Sequence, residues 1–144
     1  MDIRTYTVAD AEGCLGLFDS NSDEYFTFEE RATFAAFLQA PPGSYYVMEH
    51  EGVFVGCGGF AALEEPGSVT LTWGMVRRHL HRKGLGRFLL FYRLKEIGKL
   101  TGVALVKLET PRRAAGFFEK AGGFREVREG ANRVSMVKRL TVCE

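Results

Sequence analysis

An excess of charge of either sign is missing from this 144-residue chain: 19 Lys and Arg stand against 18 Asp and Glu, a formal net charge of +1. General nucleic-acid binders carry a clear basic excess, so no nucleic-acid partner is expected and any basic run is a local feature. Cysteine is scarce. Cys14, Cys57 and Cys143 are odd in number, far apart and without metal-ligand spacing, which argues against a disulfide framework or a metal site. They fit reduced thiols, with Cys14 and Cys57 as core filler. No apolar stretch approaches the roughly 20 residues that span a bilayer, and neither end reads as a charged-then-apolar signal segment. A cytoplasmic protein without membrane contact is therefore expected. Internal repeats, low-complexity tracts and linkers are also lacking, and 46% hydrophobic with 26% charged content suits one globular domain over residues 1–144.

What is present alternates between strand and helix patterns. Ile3 to Tyr6 reads as a short strand, and Thr7 caps a helix with Val8, Ala11, Leu15 and Phe18 at helical spacing. Thr27-Phe28-Glu29-Glu30 is a capping box opening a helix to about Gln39, which Pro41-Pro42-Gly43 ends. Tyr45 to His50 and Val53 to Leu63 flank Glu51-Gly52, the strongest hairpin signal, and a third strand follows at Val69 to Val76. A helix from Gly84 to about Leu100 is expected to bury Leu85, Phe88, Leu89, Tyr92 and Ile97 and to keep Arg93, Lys95, Glu96 and Lys99 wet. Val103 to Leu108 reads as a buried strand, with Thr110-Pro111 as cap and first turn of a helix that Gly122-Gly123 stops. Two last strands, near Phe124 to Arg128 and Val134 to Leu140, enclose the turn Gly130-Ala131-Asn132.

The most informative stretch is Val76-Arg77-Arg78-His79-Leu80-His81-Arg82-Lys83-Gly84-Leu85-Gly86-Arg87, where an apolar strand feeds a basic turn that opens a long helix. Five Lys and Arg, and no acid, lie from Arg77 to Arg87. Glycines admit a ligand close to the backbone, successive N–H groups form an anion nest, and the helix start adds its positive dipole end. A pyrophosphate or another polyanion held largely by main chain is expected. The third glycine of a dinucleotide fingerprint is absent, with Leu89 in its place, and there is no Gly-Lys-Ser/Thr of a nucleoside-triphosphate loop.

Element order and motifs together resemble the GNAT superfamily of acyl-CoA-dependent N-acyltransferases, over nearly the whole chain. The family's cofactor signature falls on His81-Arg82-Lys83-Gly84-Leu85-Gly86, and Phe117-Phe118-Glu119-Lys120-Ala121-Gly122-Gly123-Phe124 looks like its C-terminal aromatic pair and Gly-Phe; Met136-Val137-Lys138-Arg139-Leu140 looks like its last strand. The resemblance implies an α+β, mixed α/β architecture: a central, mostly antiparallel sheet of about seven strands flanked by about four helices. It implies acetyl-CoA as cosubstrate, held by Met75, Val76, His81, Arg82, Lys83, Gly84, Leu85, Gly86, Arg87 and Phe117, an amine acceptor, no metal, and a possible homodimer. The sequence departs from the pattern where His81 replaces Gln or Arg, where Phe118 replaces the tyrosine that protonates the thiolate in many members, and where Thr70 or Thr72 replaces a glutamate of some members.

Acetyl transfer needs a placed thioester, a neutral amine, a donor for the oxyanion and a proton for the thiolate. By resemblance, a backbone N–H near Val76 is the candidate donor. Glu64, Glu65, Glu109 and His79 are the candidate bases, each also readable as a turn, cap-flanking or loop residue. Tyr6, Tyr25, Tyr45, Tyr46 and Tyr92 are the alternative acids, each also readable as packing, and protonation by solvent is equally compatible. Asn21 to Thr27, with Asp23, Glu24, Tyr25 and Phe26, falls where the family's acceptor segment lies and would suit a cationic amine. The leading expectation is an N-acetyltransferase acting on a small-molecule or amino-acid-like primary amine; the alternative is an acyl-CoA-binding sensor with the same fold.

Overall fold

The computed structural model describes residues 1–22 and 27–140. Seven strands, β1 (Asp2–Thr5), β2 (Ser44–His50), β3 (Val53–Ala62), β4 (Ser68–Val76), β5 (Leu105–Pro111), β6 (Arg125–Glu129) and β7 (Arg133–Arg139), form one sheet in the order β1-β2-β3-β4-β5-β7-β6. Four α-helices accompany it: α1 (Ala11–Asn21), α2 (Phe28–Gln39), α3 (Leu85–Gly98) and α4 (Ala115–Gly122). The expected mixed, mostly antiparallel sheet with four helices is what forms. Among these strands only β4 and β5 pair in parallel.

Local chemistry sets most boundaries. The β2–β3 hairpin turns at Glu51 and Gly52, both at positive φ (51° and 78°), the backbone that a right-twisted two-residue turn requires. At the start of α2, the Glu30 carboxylate accepts from the Thr27 N–H at 2.9 Å, while the Thr27 hydroxyl accepts from the Glu30 N–H at 3.4 Å, so the capping box is reciprocal.

The sheet buries a core on each face. Cys14, Leu17 and Phe18 of α1 and Phe34 and Leu38 of α2 pack on Tyr45, Val47, Cys57 and Met75. Leu90 and Ile97 of α3 and Ala115 of α4 pack on the other side with Tyr46, Val69, Val106, Leu108 and Met136. Cys14 and Cys57 are the core filler expected of them.

Two expectations are corrected. Thr110 and Pro111 continue β5, paired with Val134 and Arg133, and α4 begins only at Ala115 after a 3-10 turn over Arg112–Ala114. Burying Thr110 in a ladder with β7 outweighs its capping propensity. On α3, Phe88 is 44% exposed whereas Arg93, expected on the wet stripe, is only 4% exposed. The helix turns Leu89, Leu90, Arg93 and Ile97 inward, and Gly58 and Gly74 leave the guanidinium room against the sheet.

Asp10, at the 3-10 turn preceding α1, joins the first strand to the first helix. Its carboxylate accepts from Arg4 at 2.8 and 2.9 Å and from the Thr7 N–H at 2.8 Å, and Arg4 above all holds its pKa down to about 2, from 3.8. A depressed carboxylate pKa stabilises the fold above the unfolded value and ceases to do so as pH falls through the folded one. Asp10→Asn is therefore expected to cost about 1–2 kcal/mol at neutral pH, discounted for the half-exposed Arg4. Thermal melts of both proteins should converge as pH falls from 4 towards 2; a gap unchanged over that range would rule the ion pair out as the cause.

Candidate functional site

β4 and β5 exchange register partners only from Ser68↔Leu105 to Thr70↔Lys107. Beyond those residues the strands part, and a cleft of about 1280 Å³ opens between them. A bulge sets what β4 presents there. Between the pairs Gly59↔Thr72 and Cys57↔Met75, two residues of β4 (Trp73 and Gly74) face one of β3, and Trp73 has φ of +32°. Alternation is thereby reversed. Val69 and Leu71 join the α3-side core, whereas Trp73 and Met75 pack with α1 and α2. The Tyr45 hydroxyl donates to the Trp73 carbonyl at 2.7 Å from the α1–α2 side.

After the bulge the Arg77 N–H donates to the Val55 carbonyl at 2.9 Å. Antiparallel alternation then turns both backbone groups of Val76 away from β3. Its carbonyl accordingly accepts from Asn21 Nδ2 and from His81 Nε2, each at 2.9 Å. Its N–H faces the parted edge. His81 thus serves as a latch between strand end and turn, a role that its position in the signature did not reveal.

The turn leads into α3 through Gly84, whose φ of +84° disfavours any residue with a Cβ. A glycine at this cap offers no side-chain acceptor, and the first backbone bond of the helix is Phe88 N–H to the Gly84 carbonyl. The amides of Leu85, Gly86 and Arg87 therefore point out of the helix start without an intrahelical partner. Gly86 faces the Phe117 ring, which a Cβ there would meet only at 3.5 Å.

Of the residues the sequence assigned to a cofactor, Met75, Val76, His81, Arg82, Gly84, Gly86, Arg87 and Phe117 line the cleft. Lys83 is exposed outside the lining, and Leu85 packs against the Met48, Val55, Val76 and Leu89 cluster. Among the candidate bases only Glu109 lines the cleft. It sits on β5 opposite Ser135, on the face turned away from buried Leu108 and Thr110. His79 is exposed in the 3-10 turn Arg78–Leu80, and Glu64 and Glu65 are exposed between β3 and β4. The Glu65 carboxylate is held below its ordinary range chiefly by the Ser68 hydroxyl, with help from Lys107.

Tyr6, Tyr45, Tyr46 and Tyr92 all lie outside the lining. Tyr6 donates to the Leu38 carbonyl at 2.6 Å, and burial pushes its pKa up to about 12; burial likewise raises Tyr45 well above the phenol range. Tyr46 and Tyr92 pack edge to face. Phe118 packs edge to face on Phe117 and Phe124. Tyr25 and the acids Asp23 and Glu24 of the expected acceptor loop lie outside the described residues.

Sequence reasoning named Asn21, Thr72 and Arg93 in other roles and did not bring them together. Asn21 Oδ1, Thr72 Oγ1 and Arg93 Nε are buried, belong to residues that line this one cleft and have no hydrogen-bond partner among the described residues. A buried polar atom without a partner costs about 1–3 kcal/mol, so the cleft holds donors and acceptors that the described residues leave open. Charge is concentrated there as well: among the described residues, eight Lys and Arg and one acid, Glu109, line it in a chain of net charge +1.

A mixed sheet parted at its centre, with a basic, amide-rich turn at the mouth of the gap, defines an α/β domain whose cleft suits a long, phosphate-bearing ligand. The model of the acetyltransferase (GNAT) family matches residues 14–124, and the chain belongs to that family. Similar solved structures include the ribosomal-protein-S18-alanine N-acetyltransferase of Escherichia coli, with 19% identity, 99% of this chain and 96% of that chain covered, and a TM-score of 0.78. An acetyltransferase of Thermus thermophilus is 21% identical, with 96% of each chain covered and a TM-score of 0.77. The PaiA N-acetyltransferase of Thermoplasma acidophilum, solved in complex with coenzyme A, is 14% identical, with 96% of this chain and 98% of that chain covered and a TM-score of 0.74. No curated protein sequence matches the chain.

The Tyr45 hydroxyl anchors the bulge from behind, so Tyr45→Phe should destabilise the protein by about 1–2 kcal/mol through loss of this hydrogen bond. Trp73 is the only tryptophan, and its emission should change with the variant. Unchanged emission and melting temperature would show that the bulge holds without this bond.

Proposed function

We propose that this protein is an acetyl-CoA-dependent N-acetyltransferase that passes the acetyl group to a primary amine of a small-molecule or amino-acid-like acceptor by direct attack on the thioester. The observation that carries this reading is the outward-facing Val76 N–H on a strand edge that runs into the Gly84 turn. The free amides of Leu85, Gly86 and Arg87, with Arg82 and Arg87, hold the pyrophosphate. The edge of β4 that parts from β5, at Met75 and Val76, gives the extended amide-bearing arm a strand to lie along. Phe117 borders that arm beside Gly86.

Bound acetyl-CoA supplies the activated acyl carbon. Val76 N–H lies along the strand edge where the thioester carbonyl is presented and donates to its oxygen as negative charge builds, a contribution worth a few kcal/mol when the donor is preorganised. A lysine-like amine with a reference pKa of about 10.4 arrives largely protonated, and Glu109 accepts that proton. With Phe118 beside the cleft and Tyr6, Tyr45, Tyr46 and Tyr92 outside its lining, solvent or Tyr25, which lies outside the described residues, is left to protonate the departing thiolate. Phe118 is also what favours the second reading, an acyl-CoA sensor that binds without transfer.

Titration of acetyl-CoA against Trp73 emission tests the cofactor site. Gly86→Val is expected to weaken binding at least tenfold while the protein still folds, since only the Phe117 ring is near; wild-type affinity in that variant would remove the phosphate turn from the reading. Turnover over an amine panel separates enzyme from sensor, because a sensor's thioester is cleaved no faster when any amine is added. In an active enzyme, Glu109→Gln should lower kcat at least tenfold without altering acetyl-CoA affinity, and Phe118→Tyr should leave the rate equal or higher. A Glu109→Gln enzyme with full kcat would move the base elsewhere.

A further inference from the structure

Arg93 is the less satisfied of the two buried charges, Asp10 and Arg93, among the described residues. Its guanidinium is buried between α3 and the sheet, yet its one hydrogen bond to a described residue is a 3.4 Å contact from Nη1 to the Gly59 carbonyl, and it makes no ion pair with a described carboxylate. Burial lowers its pKa only to about 10, so it stays charged at neutral pH. Proteins pair buried charges or place them where a ligand pairs them.

The backbone makes room for this group. A Cβ at Gly74 would stand 2.7 Å from Arg93 Nη2, and one at Gly58 would stand 3.3 Å from Cζ. Two positions without side chains, one on β3 and one in the β4 bulge, thus admit a cation to the wall of the cleft, where Arg93, Gly74 and Leu89 appear together. The phosphate turn does not need it. Arg93 lies nine residues along α3 from Gly84, roughly 13 Å of helix rise away.

Its neighbour Gly74 precedes Val76 by two strand residues, roughly 7 Å. A group whose carbonyl lies at the Val76 N–H therefore reaches Arg93 only through further carbons. We infer that the acyl subsite of this cleft takes a chain ending in a carboxylate, such as the four-carbon succinyl group, with that carboxylate paired to the Arg93 guanidinium between Gly58 and Gly74. This rests on the acyl-CoA reading above and adds to acetyl a second acyl class that the same cleft takes. The transfer itself is unchanged. The amine nitrogen bonds to the thioester carbon, the carbon–sulfur bond breaks, the amine loses a proton and the sulfur gains one, leaving an amide that carries a free carboxylate.

Calorimetric titration with succinyl-CoA, butyryl-CoA and acetyl-CoA tests the inference, because succinyl and butyryl chains have the same number of carbons and differ in charge. Wild-type protein is expected to bind succinyl-CoA at least tenfold more tightly than butyryl-CoA, the scale of a charge-assisted hydrogen bond. Arg93→Met should bring the two affinities together, and Arg93→Lys should keep part of the preference. The melting temperature of Arg93→Met should equal or exceed that of the wild type, since an apolar side chain replaces an unpaired buried charge. Equal affinity of the wild type for the two thioesters, or a preference that survives in Arg93→Met, overturns the carboxylate subsite while acetyl-CoA binding still stands. A melting temperature that collapses in Arg93→Met but is kept in Arg93→Lys, with no succinyl preference in the latter, would make the charge structural and also overturn it. Failure of all three thioesters to bind would overturn the acyl-CoA reading and this subsite with it.

Discussion

After Thr70 and Lys107, β4 and β5 stop exchanging register partners, and what this chain offers a ligand follows from that parting. A sheet that stayed paired through residue 76 would spend the Val76 N–H on a ladder bond and leave no cleft. The bulge at Trp73 and Gly74 adds a second condition by reversing which face each later residue of β4 presents. Trp73 and Met75 go to the α1–α2 core, and Gly74 turns to the Arg93 guanidinium. One irregularity of a single strand therefore determines the backbone donor, the open side and the shape of the wall.

The rest of the molecule braces that irregularity. Tyr45 donates to the carbonyl inside the bulge, while Asn21 and His81 donate to the carbonyl at the strand end. These bonds come from β2, α1 and the basic turn, so three separate elements hold the strand edge in one conformation. Preorganisation of this kind is what lets a single backbone N–H act on developing charge without reorganising when it is needed.

Charge is arranged on the same plan. Near-neutrality overall conceals a cleft lined, among the described residues, by eight cations and one acid; Glu65 and Glu30 pair with Lys107 and Arg133 of that lining, while other carboxylates are committed elsewhere, as Asp10 is to Arg4, Asp19 to Arg31 and Glu126 to Arg112. The field in the cleft favours polyanions while the whole chain remains unsuited to indiscriminate binding of nucleic acid.

Periodicity, caps and turn residues by themselves determined the element order, the α2 capping box, the β2–β3 hairpin and the glycine turn before α3, because each depends on residues within a few positions of one another. Family resemblance pointed to the strand-to-helix junction at Gly84, which the structure shows as a glycine turn opening α3. Only the tertiary structure decided where β4 and β5 separate, that β5 runs on through Pro111, that of the four candidate bases Glu109 alone reaches the cleft, and that Arg93 is buried. Arg93 reads as a solvated helix residue because an arginine normally is one; what reverses this is the lack of a side chain at Gly58 and Gly74, 35 and 19 positions away along the chain, which leave it room only once the sheet and α3 are packed together.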